Sequence, residues 1–243
     1  MAEERLGRYR ILDEIASGTQ GTVYRALDPE EKRLVALKVL HTSLTGDSRY
    51  LERFSREASL AGSLQHPNIV VVYDVEVGGD RPYIALEYLP ESLSDLLQAA
   101  ALPVDQALSL TAQVSDGLSA AHAAGIIHRD IKPANVLLDE DQKPILADFG
   151  LARMLEASIR LTQASEAMGT PEFMSPEQAM GGDTDHRSDL YAFGVMLYQM
   201  LVGQTPFRAD TPAATLLAHV HRPVPLPSLL NADIGPGIEA IIL

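Results

Sequence analysis

The sequence predicts an α+β protein in two parts, and three observations predict it. Strand-like segments crowd residues 9–88, helical patterns take over from residue 93, and 243 residues suffice for a sizeable core or two lobes. Hydrophobic residues make up 46% of the chain, which points to a packed interior rather than to disorder. A net charge of -14 argues against a general nucleic-acid binder. With no cysteine, disulfides, thiol catalysis and Cys-based zinc sites are excluded. The opening Met1-Ala-Glu-Glu-Arg5 is too polar for a signal peptide, and no apolar run is long enough to span a bilayer. The expected location is cytoplasmic with no membrane contact in this chain, while an anchor in a longer parent protein stays open.

Tyr9–Ile15, Thr22–Leu27 and Leu34–Leu40 read as strands, rich in β-branched and apolar residues. Gly18 and Gly21 separate the first two. Taken alone they more often mark an ordinary hairpin turn than a loop whose amides approach a phosphate. Lys38 sits inside the apolar third strand, either snorkelling to the surface or held beside an anionic partner. Residues 50–64 carry a helical pattern with Leu51, Phe54, Ala58 and Ala61 on one face and Glu57 beside it. Pro67 ends that segment. Ile69–Val77 and Arg81–Tyr88 read as two further strands around Gly78-Gly79-Asp80.

Helical patterns follow over Leu93–Ala101 and Val104–Ala124, the second apolar at Leu108, Leu110, Ala112, Val114, Leu118 and Ala121 and ending at Gly125. Val136–Leu138 and Pro144–Ala147 read as short strands. Leu151–Met168 has no period and carries Ser158, Thr162 and Ser165. Residues 186–202 are apolar nearly all round, as in a buried helix. Asp189 near its start reads as a structural acceptor for the backbone of the 128–135 loop. A last helix over Thr211–His221 precedes a proline-rich loop at 223–227, and the apolar end Ile241-Ile242-Leu243 suggests a helix cut short.

Chemistry concentrates in His128-Arg-Asp-Ile-Lys-Pro-Ala-Asn135. Asp130 can accept a proton, Lys132 can neutralise a phosphoryl group, and Asn135 can hold a metal ion through its amide oxygen. Asp148, before Phe149-Gly150, supplies a second oxygen ligand. Two hard-oxygen ligands, a base and a lysine suit magnesium-assisted phosphoryl transfer.

The order H-R-D-x-K-x-x-N, then D-F-G, resembles the catalytic core of protein kinases. Val35-Ala-Leu-Lys38 and Gly169-Thr-Pro-Glu-Phe-Met-Ser-Pro-Glu177 extend the likeness over nearly the whole chain. Two positions depart from the pattern: Ala16 replaces the first loop glycine and Ser175 the alanine of A-P-E. The resemblance implies a small antiparallel β lobe with a helix (1–88) and a larger helical lobe (89–243), with ATP between them. It implies that Gly18, Gly21 and Lys38 contact phosphates and that Glu57 pairs with Lys38. Val23 and Ala36 would roof the adenine, Leu137 would floor it, and the backbones of Glu87 and Leu89 would bond its edge. Asp130 and Lys132 become catalytic, and Asn135 and Asp148 hold Mg2+. His128 and Phe149 become packing residues.

Lys132 and Thr170 match the Ser/Thr class, and the Thr-Pro-Glu-Phe-Met-Ser-Pro-Glu-Gln run is similar to bacterial members. The partners implied are protein substrates, with dimerisation as a route to autophosphorylation. Thr162 and Ser165 would be the modified hydroxyls, answered by Arg129 and Arg153. The family's arginine partner for Glu177 is not recognisable, so a buried Glu177 would carry an unpaired charge. A pseudokinase, a nucleotide-binding or interaction module without turnover, is the alternative.

Overall fold

The computed structural model describes residues 4–18, 21–41, 51, 54, 55, 58, 62–79, 81–149 and 170–243. The chain divides into two compact units, Met1–Pro90 and Glu91–Leu243.

The strands described in the first unit form one antiparallel sheet. Its strands are β1 (Arg5–Leu6), β2 (Tyr9–Ser17), β3 (Gly21–Asp28), β4 (Arg33–Leu40), β5 (Val72–Glu76) and β6 (Tyr83–Glu87), in the order β1-β2-β3-β4-β6-β5. Side chains alternate across a strand, so register sorts them onto two faces. Val23 lies opposite Lys38 and Ala36 opposite Leu86, which sets Val23, Ala36, Lys38 and Leu86 on one face. The other face carries a core of Tyr9, Ala26, Val35, Leu37, Val39, Tyr83 and Ala85. Tyr9 stands edge-on to Tyr83 and donates its hydroxyl to Asp74. Burial and the Asp74 carboxylate push the Tyr9 phenol up. Phe54 and Ala58, expected on the inner face of a helix, are buried.

The β3–β4 turn closes on Asp28, whose carboxylate accepts the amides of Glu30 and Glu31. Arg8 reaches the same buried carboxylate at 3.2 Å. Strand β1 was not expected, and β5 is shorter than the Ile69–Val77 reading: the chain from 66 to 69 turns, with the Ile69 amide bonded to the His66 carbonyl.

The second unit opens with β7 (Glu91–Ser92), which joins β8 (Val136–Leu138) and β9 (Pro144–Leu146) in a three-stranded antiparallel sheet, order β7-β8-β9. Among its described residues the helices are α1 (Leu93–Leu97), α2 (Val104–Ala123), α3 (Pro176–Ala179), α4 (His186–Val202), α5 (Pro212–His221) and α6 (Pro236–Ile242). A capping box between Ser92 and Asp95 starts α1. This helix stops at Leu97, not Ala101; the amide of Leu102 beyond it bonds the Met200 carbonyl in α4.

Helix α2 buries Ala107, Leu110, Val114, Leu118 and Ala121, while Leu108 and Ala112 lie off that face. It ends in a Schellman arrangement. Gly125 takes φ +74 and bonds the His122 carbonyl, and the Ile126 amide bonds that of Ala121. Helix α4 is the centre of the unit and buries Ala192, Val195, Met196, Leu197, Tyr198, Met200 and Leu201. Among the described residues no helix is long and apolar enough to cross a membrane.

Gly21 is needed for packing. A Cβ there would run into the carbonyl of Val39 on β4, whereas one on Gly18 would meet no atom within 4 Å. Gly21→Ala is therefore expected to cost about 1–3 kcal/mol, as overpacking does. Gly18→Ala should change stability by no more than about 0.5 kcal/mol. Urea unfolding of both variants checks this, and equal costs would contradict the contact.

Candidate active site

The 128–135 loop is held from α4. Asp189 is 1% exposed, and its carboxylate accepts the His128 amide at 2.8 Å and the Arg129 amide at 2.6 Å. A third bond, 2.7 Å, joins it to His122 Nε2 of α2. A buried carboxylate needs such donors, because desolvation otherwise disfavours its charge. The expectation of a structural acceptor at Asp189 is thus met.

His128 is completely buried and packs on Phe149, with ring centroids 4.6 Å apart. Its ring is the Nε2–H tautomer. Nε2 faces the Ala147 carbonyl at 2.8 Å and must donate, while Nδ1 accepts the Asp130 amide at 3.3 Å. Burial pushes this imidazole below its ordinary pKa, although the carboxylates of Asp189, Asp130 and Asp148 pull the other way. Both His128 and Phe149 are packing residues, as the sequence reading had them.

Asp130, Lys132 and Asn135 form one cluster. Lys132 Nζ meets Asp130 Oδ2 at 2.8 Å, and Asn135 Nδ2 meets the same oxygen at 2.9 Å. Asn135 Nδ2 also donates to the Asp130 backbone carbonyl at 2.7 Å. Both side-chain bonds fall on Oδ2, and among the described residues neither reaches Oδ1. A turn of 3-10 helix, Pro133–Asn135, sets the spacing, and the Asn135 carbonyl accepts the Ala147 amide just before Asp148.

Arg129 and Asp148 take positive φ, 66° and 63°. That region is unfavourable for residues with a Cβ and persists only where the surroundings fix it. At Arg129 both neighbouring peptides are fixed: its amide goes to Asp189, and its carbonyl accepts Gln178 Nε2 at 3.1 Å.

The donor set fits magnesium. With Asn135 Nδ2 directed at Asp130, its Oδ1 is left for a cation, and Asp148 adds a carboxylate nearby in sequence. Both are hard oxygens, and Mg2+ takes one or two protein ligands with water and phosphate oxygens completing its shell. Among the described residues no cluster of three or more His, Cys, Asp or Glu forms a cage for a different metal.

In the first unit, Lys38 is 7% exposed in the middle of β4, on the sheet face it shares with Val23 and Ala36. The Glu87 amide is bonded to the Val71 carbonyl. Leu89 and Leu137 are half-buried, Leu137 opposite Ile145 in the second unit's sheet. Glu57, Gly150, Arg153, Thr162, Ser165 and Gly169 lie outside the described residues.

Glu177 corrects one expectation. It is half-buried and accepts Ser188 Oγ, so its charge has a partner. Burial would raise its pKa, but hydrogen bonds from Ser188, its own amide and Ser175 hold the carboxyl below the usual range. Sequence reasoning missed Gln178. The S-x-x-Q pattern from Ser175 to Gln178 signals the capping box that starts α3. Nothing local signals the reach from Gln178 to Arg129.

A family profile described as "Protein kinase domain" matches residues 9–231. The chain is 41% identical over 227 residues to "Serine/threonine-protein kinase pkn2" of Myxococcus xanthus, covering 90% of this chain and 27% of that protein. It is 39% identical to "Serine/threonine-protein kinase PksC" of Streptomyces coelicolor (97% and 44% covered). It is 38% identical to "Serine/threonine-protein kinase PknB" of Mycobacterium leprae (97% and 39% covered). The chain thus spans less than half the length of these curated relatives.

The buried histidine has a consequence for pH. A group whose folded pKa lies below its unfolded value binds fewer protons when folded, so acid favours unfolding. Stability should be full above about pH 7 and fall as pH drops through 6.5, the ordinary imidazole value. The slope due to His128 approaches about 1.4 kcal/mol per pH unit. His219, also lowered by burial, contributes with the same sign. Denaturant unfolding between about pH 5 and about pH 7.5 measures it. A flat profile would contradict a neutral buried His128.

Proposed function

The chain belongs to the protein kinase family, and from that premise we propose that it is an ATP-dependent protein kinase acting on serine and threonine hydroxyls. The observation that carries the reading is the Asp130 carboxylate, anchored through Oδ2 by Lys132 and Asn135 with Oδ1 open. Bound Mg-ATP supplies the γ-phosphoryl group and the cation that neutralises charge on its phosphates.

The residues then divide the work. Asp130 Oδ1 orients the substrate hydroxyl and takes its proton as the hydroxyl oxygen bonds to phosphorus and the bond to ADP breaks. Lys132 remains beside the transferring group and offsets its negative charge. Asn135 Oδ1 and the Asp148 carboxylate hold the magnesium. Lys38 and the amides around Gly18 and Gly21 position the phosphates. Val23, Ala36 and Leu137 provide apolar contact for the adenine, with the backbones of Glu87 and Leu89 along its edge. Glu57 orients Lys38. Autophosphorylation at Thr162 or Ser165, with Arg129 receiving the phosphate, belongs to the same proposal. Support for the Ser/Thr class comes from Lys132, two residues after Asp130, and from the names of the relatives.

The test is transfer of labelled phosphate from Mg-ATP to the chain itself and to a basic protein substrate. Asp130→Asn keeps the size and loses the base, so turnover should fall by about 10²–10⁴ with ATP binding retained. EDTA should abolish transfer in the parent. Parent-like turnover in Asp130→Asn would overturn the assignment, and a parent chain that binds Mg-ATP without transferring phosphate would favour the pseudokinase reading.

A further inference from the structure

We propose that Gln178 is a positioning residue for phosphoryl transfer: its side-chain amide holds the peptide bond that carries Asp130. The inference rests on the kinase reading above for its effect on rate, though not for its geometry. The Arg129–Asp130 peptide is gripped at both ends. Its carbonyl, that of Arg129, accepts Gln178 Nε2 at 3.1 Å, and its N–H, that of Asp130, donates to His128 Nδ1 at 3.3 Å. Rotation of this plane would swing the Asp130 carboxylate away from Lys132 and Asn135. The residue before it is at φ 66, a conformation that must be imposed. Asp189 imposes it from the amide side of Arg129 and Gln178 from the carbonyl side.

The orientation of the Gln178 amide follows from its partners. Its Oε1 accepts the Ser175 amide at 2.9 Å, and a backbone N–H can only donate. Its Nε2 therefore faces the Arg129 carbonyl, which can only accept. One side chain closes the cap of α3 and holds the catalytic loop at the same time. A carboxylate could do only the first, and an ammonium only the second. The bond also links the 170–179 segment directly to the backbone of the general base. Asp189 reaches the loop from the other side, so loss of Gln178 would loosen the loop without releasing it.

The amide's two jobs can be separated. Gln178→Glu keeps the acceptor for Ser175 and loses the donor for Arg129. Its melting temperature should stay near that of the parent while kcat falls about tenfold, equivalent to about 1.4 kcal/mol on the barrier, with KM for ATP unchanged. Gln178→Lys keeps a donor and loses the acceptor, so it should melt lower yet retain several-fold more kcat than Gln178→Glu. Thr211→Ala, which uncaps α5, controls for instability alone and should leave kcat unchanged. Amide hydrogen exchange at Asp130 is the readout that needs no turnover, and Gln178→Glu should speed it several-fold.

Parent-like kcat in Gln178→Glu overturns the proposal. If Gln178→Glu does not fold, equal kcat in Gln178→Lys and Gln178→Met overturns it. If the parent itself transfers no phosphate, the kinase reading fails and unchanged Asp130 exchange in Gln178→Glu, or in Gln178→Met against Gln178→Lys, overturns the positioning role.

Discussion

One buried carboxylate shapes the catalytic loop. Asp189 stands in the first turn of α4, whose buried side chains are otherwise mostly apolar, and turns its charge toward the loop instead of toward water. The amides of His128 and Arg129 and the ring of His122 answer that charge. A carboxylate in such a place is tolerable only when its lone pairs are met. The requirement works in both directions: the loop satisfies Asp189, and Asp189 forces the loop into a path that includes a left-handed Arg129.

From that path the rest of the site follows. With His128 fixed in its Nε2–H tautomer against Ala147 and Phe149, its Nδ1 is free to receive the Asp130 amide. With the Asp130 backbone set, Lys132 and Asn135 converge on one oxygen of its carboxylate. Asn135 then ties the loop to the strand leading to Asp148 through the Ala147 amide. The loop path, the His128 tautomer and the Asp130 orientation are successive consequences of one hydrogen-bonded frame rather than independent features.

How much of this the sequence discloses depends on the range of the interaction. Strands β2, β3, β4 and β6 and helices α2, α4 and α5 were legible because side-chain periodicity and helix ends are local. The cluster of Asp130, Lys132 and Asn135 was legible because all three stand in one short motif. Asp189 stood out as an acid in an apolar helix. The end of α1 was not legible, because the chain beyond it is captured by Met200, about a hundred residues away in sequence. The need for glycine at position 21 comes from Val39 across the sheet. Gln178 reads locally as half of a capping box, and its bond to Arg129 crosses 49 positions. Glu177 looked partnerless because an arginine was sought, whereas a serine hydroxyl eleven residues away meets it.

Asp189→Asn tests the account at its centre. The side chain keeps its shape, but one acceptor oxygen becomes a donor that opposes a donor already in place. Amide exchange at His128 and Arg129, read together with phosphate transfer from Mg-ATP, is the measurement. The account predicts faster exchange at those two amides and transfer reduced by at least about tenfold, with exchange in the core of the first unit unchanged. Parent-like exchange at His128 and Arg129 with parent-like transfer would contradict it, since the loop would then hold its shape without the carboxylate.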